Sequence, residues 1–136
     1  MTVKKKAHPK KAHHKWRVKK LELQCVGMQH RLTLSTRRFM LARVKSKPIQ
    51  VEFKREPDNS HDENAIAVWT TDDPDNPYRK MQVGFVPRLV AAELAPALDS
   101  GDAELGKSFI YDMSVQEGIA DLQVNLRVKR GVKVKT

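Results

Sequence analysis

Alternation of apolar and polar residues with a period of two dominates this chain, and a helical period appears in only two places. Leu21, Leu23 and Cys25 alternate with Glu22 and Gln24, which predicts a strand within residues 16–28 with one buried face. Gly27 breaks that run, as a bulge or a close backbone approach would. Ser35-Thr36 is placed to cap a helix from Thr36 to Lys45, with Phe39, Met40 and Val44 within reach of one face. Pro48 ends it, and Ile49, Val51 and Phe53 face one way along the next strand, Ile49–Lys54. A polar turn leads to Ala65–Trp69, an apolar run suited to a buried strand. Thr70–Lys80 reads as a long polar hairpin loop, after which Met81, Val83 and Phe85 alternate. Pro87 sits where a first helical residue belongs, and Val90, Leu94, Ala97 and Leu98 line a helix that ends at Ser100-Gly101. Pro96 is expected to kink or restart that helix. Phe109, Tyr111, Met113 and Val115 then alternate, Gly118 marks a turn, and Leu122, Val124, Leu126 and Val128 alternate with polar residues. The expected fold is mainly β (α+β), a small OB-like β-barrel of about six strands with two short helices.

Charge divides the chain more sharply than periodicity does. The formal net charge is +10 over 136 residues, yet residues 21–126 hold twelve basic and sixteen acidic side chains. Residues 1–20 hold nine Lys/Arg and no acid, and residues 127–136 hold five and no acid. The predicted organisation is therefore a disordered basic tail at 1–15, a barrel domain at 16–129 and a basic tail at 130–136 that prolongs the alternation into solvent. Cations that neutralise phosphates release counterions, so Lys4, Lys5, Lys6, Lys10, Lys11, Lys15 and Arg17 are candidates for sequence-blind contact with nucleic acid. A merely solubilising or address-carrying tail is the alternative. His8, His13 and His14 lie among these lysines without Cys or carboxylate company, which argues against a zinc site.

The single cysteine, Cys25, excludes an internal disulfide and fits a reducing compartment. Neither a membrane-spanning run nor a signal-peptide core is present, so a soluble cytoplasmic protein is expected, in the nucleoid or nucleus if bound to DNA.

The stretch Phe53–Val68, read as FKREPDNSHDENAIAV, carries the densest chemistry. Its Asp and Asn side chains can bond their own backbone and hold one loop shape. A calcium loop starting at Asp58 fails on spacing, because position six is Glu63 where glycine is needed and position twelve is Trp69 where glutamate is needed. Asp62 and Glu63 are adjacent on a turn and make a poor hydrolytic pair. Neither a cofactor nor a metal is expected.

The order REPDN-x-x-D-x-NAIAV, then Val83-Gly84-Phe85-Val86-Pro87-Arg88 and the AAELAPALDSG helix, resembles the HIRAN domain over about Val26–Gly101. That family occurs alone in bacterial and phage proteins and at the N-terminus of helicase-like fork-remodelling ATPases. The resemblance implies an OB-like fold and a pocket for a single-stranded 3′ end. In that pocket the ring at His61 stacks on the terminal base, and Asp62 accepts from the terminal hydroxyl. Arg88 matches a basic position near the nucleotide backbone, while Phe85 stands where histidine is common. Gln29 and His30 stand where helicase-like members carry basic and aromatic groups, with Arg31 adjoining. Each residue also has a plain reading: an Asx-type turn for Asp62, core for Phe85, a loop-closing bond for Asn64.

The expected function is a non-catalytic nucleic-acid-binding module, DNA favoured, with His30, Arg55, His61, Asp62, Phe85 and Arg88 as the site. No Walker loop is present, so a motor would be a separate helicase partner. Two other classes compete with this reading. One is a protein-interaction module with basic arms. The other is a small hydrolase or nuclease, which would need a constellation that this chain lacks.

Overall fold

Leu122, Val124, Leu126 and Val128 all point inward from one strand and are at most 2 % exposed, so the predicted alternation at the end of the chain is the spine of the core. The computed structural model describes residues 15–71 and 80–134. Its strands are β1 (Trp16–Cys25), β2 (Ile49–Arg55), β3 (Ile66–Thr70), β4 (Gln82–Phe85), β5 (Ala103–Ser114) and β6 (Ile119–Lys129). All six pair antiparallel in one sheet, in the order β1-β6-β5-β2-β3-β4. A short 3-10 helix (Met28–His30) follows β1, and the two α-helices are α1 (Leu34–Ser46) and α2 (Arg88–Asp99). Residues 1–14, with five of the candidate tail lysines, and most of the predicted 70–80 loop lie outside the described residues.

The sheet edges, β1 and β4, meet at one end. Val26 N donates to Phe85 O at 2.8 Å and Phe85 N to Val26 O at 3.0 Å, a single bridge just past β1. The sheet is therefore barrel-like, drawn together at one end without a continuous closing ladder. Gly84 permits this approach, since a Cβ there would lie 2.5 Å from Val26 O and 2.6 Å from Cys25 Sγ. Gly27, at φ 80°, then turns the chain out of β1 into the 3-10 helix. Cys25 is fully buried behind the bridge, and burial pushes its thiol pKa up to about 12.

Several boundaries differ from expectation. The α1 cap is Thr33, whose Oγ1 accepts from Thr36 N at 3.1 Å, so the helix starts before Ser35. Met40 and Val44 face the core as expected, but Phe39 is exposed. Helix α2 runs through Pro96 to Asp99, and its buried face centres on Ala91, Leu94 and Ala95. The largest correction concerns β5. Its inward residues are Ala103, Ser108, Ile110 and Met113, while Phe109 is half-buried and Tyr111 exposed. The register against β6 shifts between Leu105 and Ser108 and again between Ile110 and Asp112. Each irregularity exchanges the faces of the residues beyond it, which simple alternation cannot register. Beyond β6, Val132 and Val134 pack partly buried against the core instead of running into solvent.

Candidate functional site

The loop joining β2 and β3 is built from its own polar side chains. Glu56 N donates to Ala65 O at 3.0 Å and closes it. Asn59 Oδ1 accepts from His61 N at 2.9 Å and from Asp62 N at 3.1 Å, and its Nδ2 donates to Glu56 Oε1 at 3.0 Å. Asp62 Oδ1 accepts from Asn64 N at 2.9 Å, while Asp62 O accepts from Ala65 N at 3.0 Å. These are Asx-type turns of the kind expected of short polar side chains. Asn59, absent from the predicted site, is the residue on which the loop turns.

Arg55 anchors the loop from beneath. Its guanidinium donates to Ala65 O at 2.7 Å and Glu63 O at 3.0 Å. It also forms a fork with Asp99 at the end of α2, Nε to Oδ1 at 2.8 Å and Nη2 to Oδ2 at 2.9 Å. The hydrogen bond from Arg55 holds the Asp99 carboxyl below its ordinary pKa. With its donors committed in this way, Arg55 lines a separate depression with Glu56–Asn59 and stays out of the cleft that His61 and Asp62 border.

That cleft lies between the loop, the β1–β4 bridge and the start of α2. One lobe, ≈ 320 Å³, is lined mainly by apolar groups, among them Val26, Ala65, Phe85 and Val86. A second, ≈ 490 Å³, is lined by residues 59–64 with Leu89 and Ala92. Asn59, His61, Asp62 and Arg88 belong to both. Arg88 Nε stands 3.8 Å from Asp62 Oδ2, and its Nη2 donates to His61 O at 3.2 Å. Asp62 thus has one carboxylate oxygen committed to its turn and the other at the cleft beside a cation. Arg88 is the first residue of α2, where the opening N–H groups lack helical acceptors and favour anions.

Four predicted site residues meet in this cleft: His61, Asp62, Phe85 and Arg88. His30 is exposed on the 3-10 helix and lines neither lobe. Gln29 packs its side chain toward Gly118 in the β5–β6 turn. Arg31, the next residue after His30, is the one that enters the cleft, with its guanidinium 5.5 Å from the centre of the Phe85 ring. Adjacency to His30 is the only sequence signal for it. Arg17 lies on β1 and donates to Val132 O at 2.8 Å. Among the described residues there is no cluster of three or more His, Cys, Asp or Glu able to hold a metal. Nor is any described helix long and apolar enough to cross a membrane.

A crystal structure of the HIRAN domain of human HLTF aligns with a TM-score of 0.61 and 18 % identity, covering 89 % of this chain and 97 % of that one. A crystal structure of a protein from Lactobacillus plantarum aligns with a TM-score of 0.57 and 20 % identity, covering 83 % and 98 % respectively. Likeness at these identities speaks for the fold. No curated protein matches the chain. A sequence model of the HIRAN domain matches residues 19–134, nearly all of the described chain, and with the loop, the β1–β4 bridge and the α2 start in place, the chain belongs to the HIRAN domain family.

Proposed function

We propose that the cleft binds nucleic acid, DNA in preference, by holding the 3′ end of a single strand. The observation that carries this reading is the arrangement at Asp62, which lines the cleft with its Oδ2 3.8 Å from Arg88, while Arg88 also donates to His61 O. A carboxylate there rewards a free terminal hydroxyl and repels the phosphate of a continuing strand. The His61 ring and the Phe85–Arg31 pair offer stacking surfaces for the terminal bases. Arg88 and the first N–H groups of α2 would hold the last phosphate. Arg55 acts through the loop it anchors, without touching the strand itself. Family membership supports DNA as the ligand class and a binding role without catalysis. The basic tails, including Lys4–Lys6, Lys10, Lys11 and Lys15, would add salt-sensitive attraction that is blind to sequence. A separate helicase is the natural protein partner for a domain of this family in a cytoplasmic or nucleoid setting.

The test compares fluorescent single strands ending in 3′-hydroxyl or 3′-phosphate at moderate salt. Tighter binding of the free hydroxyl, abolished in Asp62→Asn, supports the reading. Asparagine keeps a side-chain oxygen for the Asn64 turn, so that variant isolates the charge. Equal affinity for both ends sinks end recognition and leaves a general basic binder.

A further inference from the structure

Residues 15–20 and 127–132, in the described parts of the two basic stretches, are brought to one place by β1 and β6. Trp16 pairs with Lys129 in the ladder, and Arg130 N donates to Lys15 O at 2.9 Å. Arg17 donates to Val132 O across the same junction. Lys19 and Lys20, both exposed, follow on β1 and have no acidic partner among the described residues. Two acids enter this end of the barrel. Glu104 pairs with Arg127 at 2.9 Å, and Asp102 stands 3.9 Å from Lys129. Two cations approach the Trp16 ring, with Arg127 4.8 Å and Lys129 5.9 Å from its centre. The positive charge at residues 15–20 and 127–130 is thus gathered by the β1–β6 pairing at one end of the sheet, on both of its faces, since Arg17 and Lys19 share the face of Leu21 whereas Lys20 points to the face of Trp16.

This surface lies at the far end of β1 from the cleft. Val26 borders the cleft and Arg17 belongs to the basic end, nine positions earlier on one extended run. At ~3.3 Å per residue the two are roughly 30 Å apart. A stacked strand covers that distance in about nine nucleotides at ~3.4 Å each. We propose that the β1–β6 end of the barrel is a second phosphate-binding surface, which holds the backbone about nine nucleotides from the strand end seated in the cleft. The spacing rests on the end-binding reading of the cleft, whereas the surface itself rests on the charge arrangement alone. The cleft then selects the end, and the sheet end adds affinity and salt dependence to those of the 1–14 tail.

Oligonucleotides of four to twenty nucleotides with a 3′-hydroxyl are titrated into the full chain at several salt concentrations, beside the triple variant Lys19→Gln, Lys20→Gln, Lys129→Gln. The expected result is a rise in affinity as length passes about nine nucleotides, smaller in the variant. The slope of log affinity against log salt for long strands should fall by about 2, at ~0.7 for each single-strand phosphate that is no longer neutralised. Four-nucleotide strands should bind both proteins alike and keep the hydroxyl preference. No rise with length, or a rise of equal size in the variant, overturns the proposal. A rise that the variant reduces, with no hydroxyl preference at four nucleotides, removes the cleft reading and leaves the basic surface supported. Capture of anionic phospholipid vesicles that the variant abolishes, with no length dependence for oligonucleotides, overturns it in favour of a lipid surface.

Discussion

Arg55 and Asp99 stand 44 residues apart in sequence and join by a two-pronged ion pair at 2.8 and 2.9 Å, tying the loop that carries His61 and Asp62 to the end of α2. The same guanidinium caps two loop carbonyls, so one side chain fixes the loop against the helix whose other end presents Arg88. The relation between Asp62 and Arg88 depends on this clamp. A pair at 3.8 Å with an exposed arginine has little rigidity of its own.

Removal of the clamp should therefore be felt both in stability and at the cleft. Arg55→Ala strips the carbonyls of Ala65 and Glu63 of a charged donor, and hydrogen bonds of this kind contribute ~1.5–3 kcal/mol. A lower midpoint in thermal or urea unfolding, with weakened discrimination of strand ends, is expected. Lysine at this position should not rescue it, having no planar fork to match the carboxylate.

The pH dependence of the same pair has a definite sign. Arg55 depresses the Asp99 pKa in the folded state, so the unfolded chain takes up the proton first as pH falls. The contribution is present above the ordinary aspartate pKa of ~3.9 and is lost as pH drops through the depressed folded value. The Asp99 side chain is 52 % exposed, so solvent screening limits the effect to below ~1 kcal/mol. Urea titrations between pH 6 and 3 should show a shallower loss of stability in Asp99→Asn than in the parent.

Gly84 is where the barrel edges meet. Gly84→Ala places a methyl group against a backbone oxygen that cannot swing away, so the Val26–Phe85 bridge must open or shift. Overpacking of this kind costs ~1–3 kcal/mol. The amides of Val26 and Phe85 should lose hydrogen-exchange protection first, and because both residues border the cleft, oligonucleotide affinity should fall with them.

Asn59→Ala tests the loop without touching the core. His61 and Asp62 lose the acceptor for their N–H groups, at a cost of ~1 kcal/mol for partly exposed donors. The preference for 3′-hydroxyl over 3′-phosphate should shrink more than the overall affinity for long strands, which a paired binding assay reads directly.

Cys25 provides a probe of global opening. A thiol whose pKa is raised to about 12 is protonated at pH 8 and shielded by its neighbours, so alkylation of the native protein should be slow and should track unfolding. Fast labelling at low denaturant would show that the β1–β4 junction opens on its own.

The period-two pattern by itself determined the strands and much of the core. Leu21, Leu23 and Cys25 face inward from β1, and Leu122 to Val128 from β6, as their alternation demands, because side-chain direction in a strand is a local property of the backbone. The polar loop was equally legible, since Asn and Asp side chains bond backbone groups only two or three positions away. Tertiary structure decided the rest. The buried face of β5 departs from its alternation because the bulges arise from pairing with β6. The role of Arg55 depends on Asp99, and that of Gly84 on the approach of Val26, neither of which is a sequence neighbour. His30 and Arg31 are adjacent in sequence, yet the turn of the 3-10 helix directs only Arg31 into the cleft. The meeting of residues 16–20 with 125–129 at one end of the sheet follows from the β1–β6 register. Hydrophobic period and turn chemistry act over a few residues, whereas the contacts that assemble the cleft and the basic surface exist only once distant strands have chosen their partners.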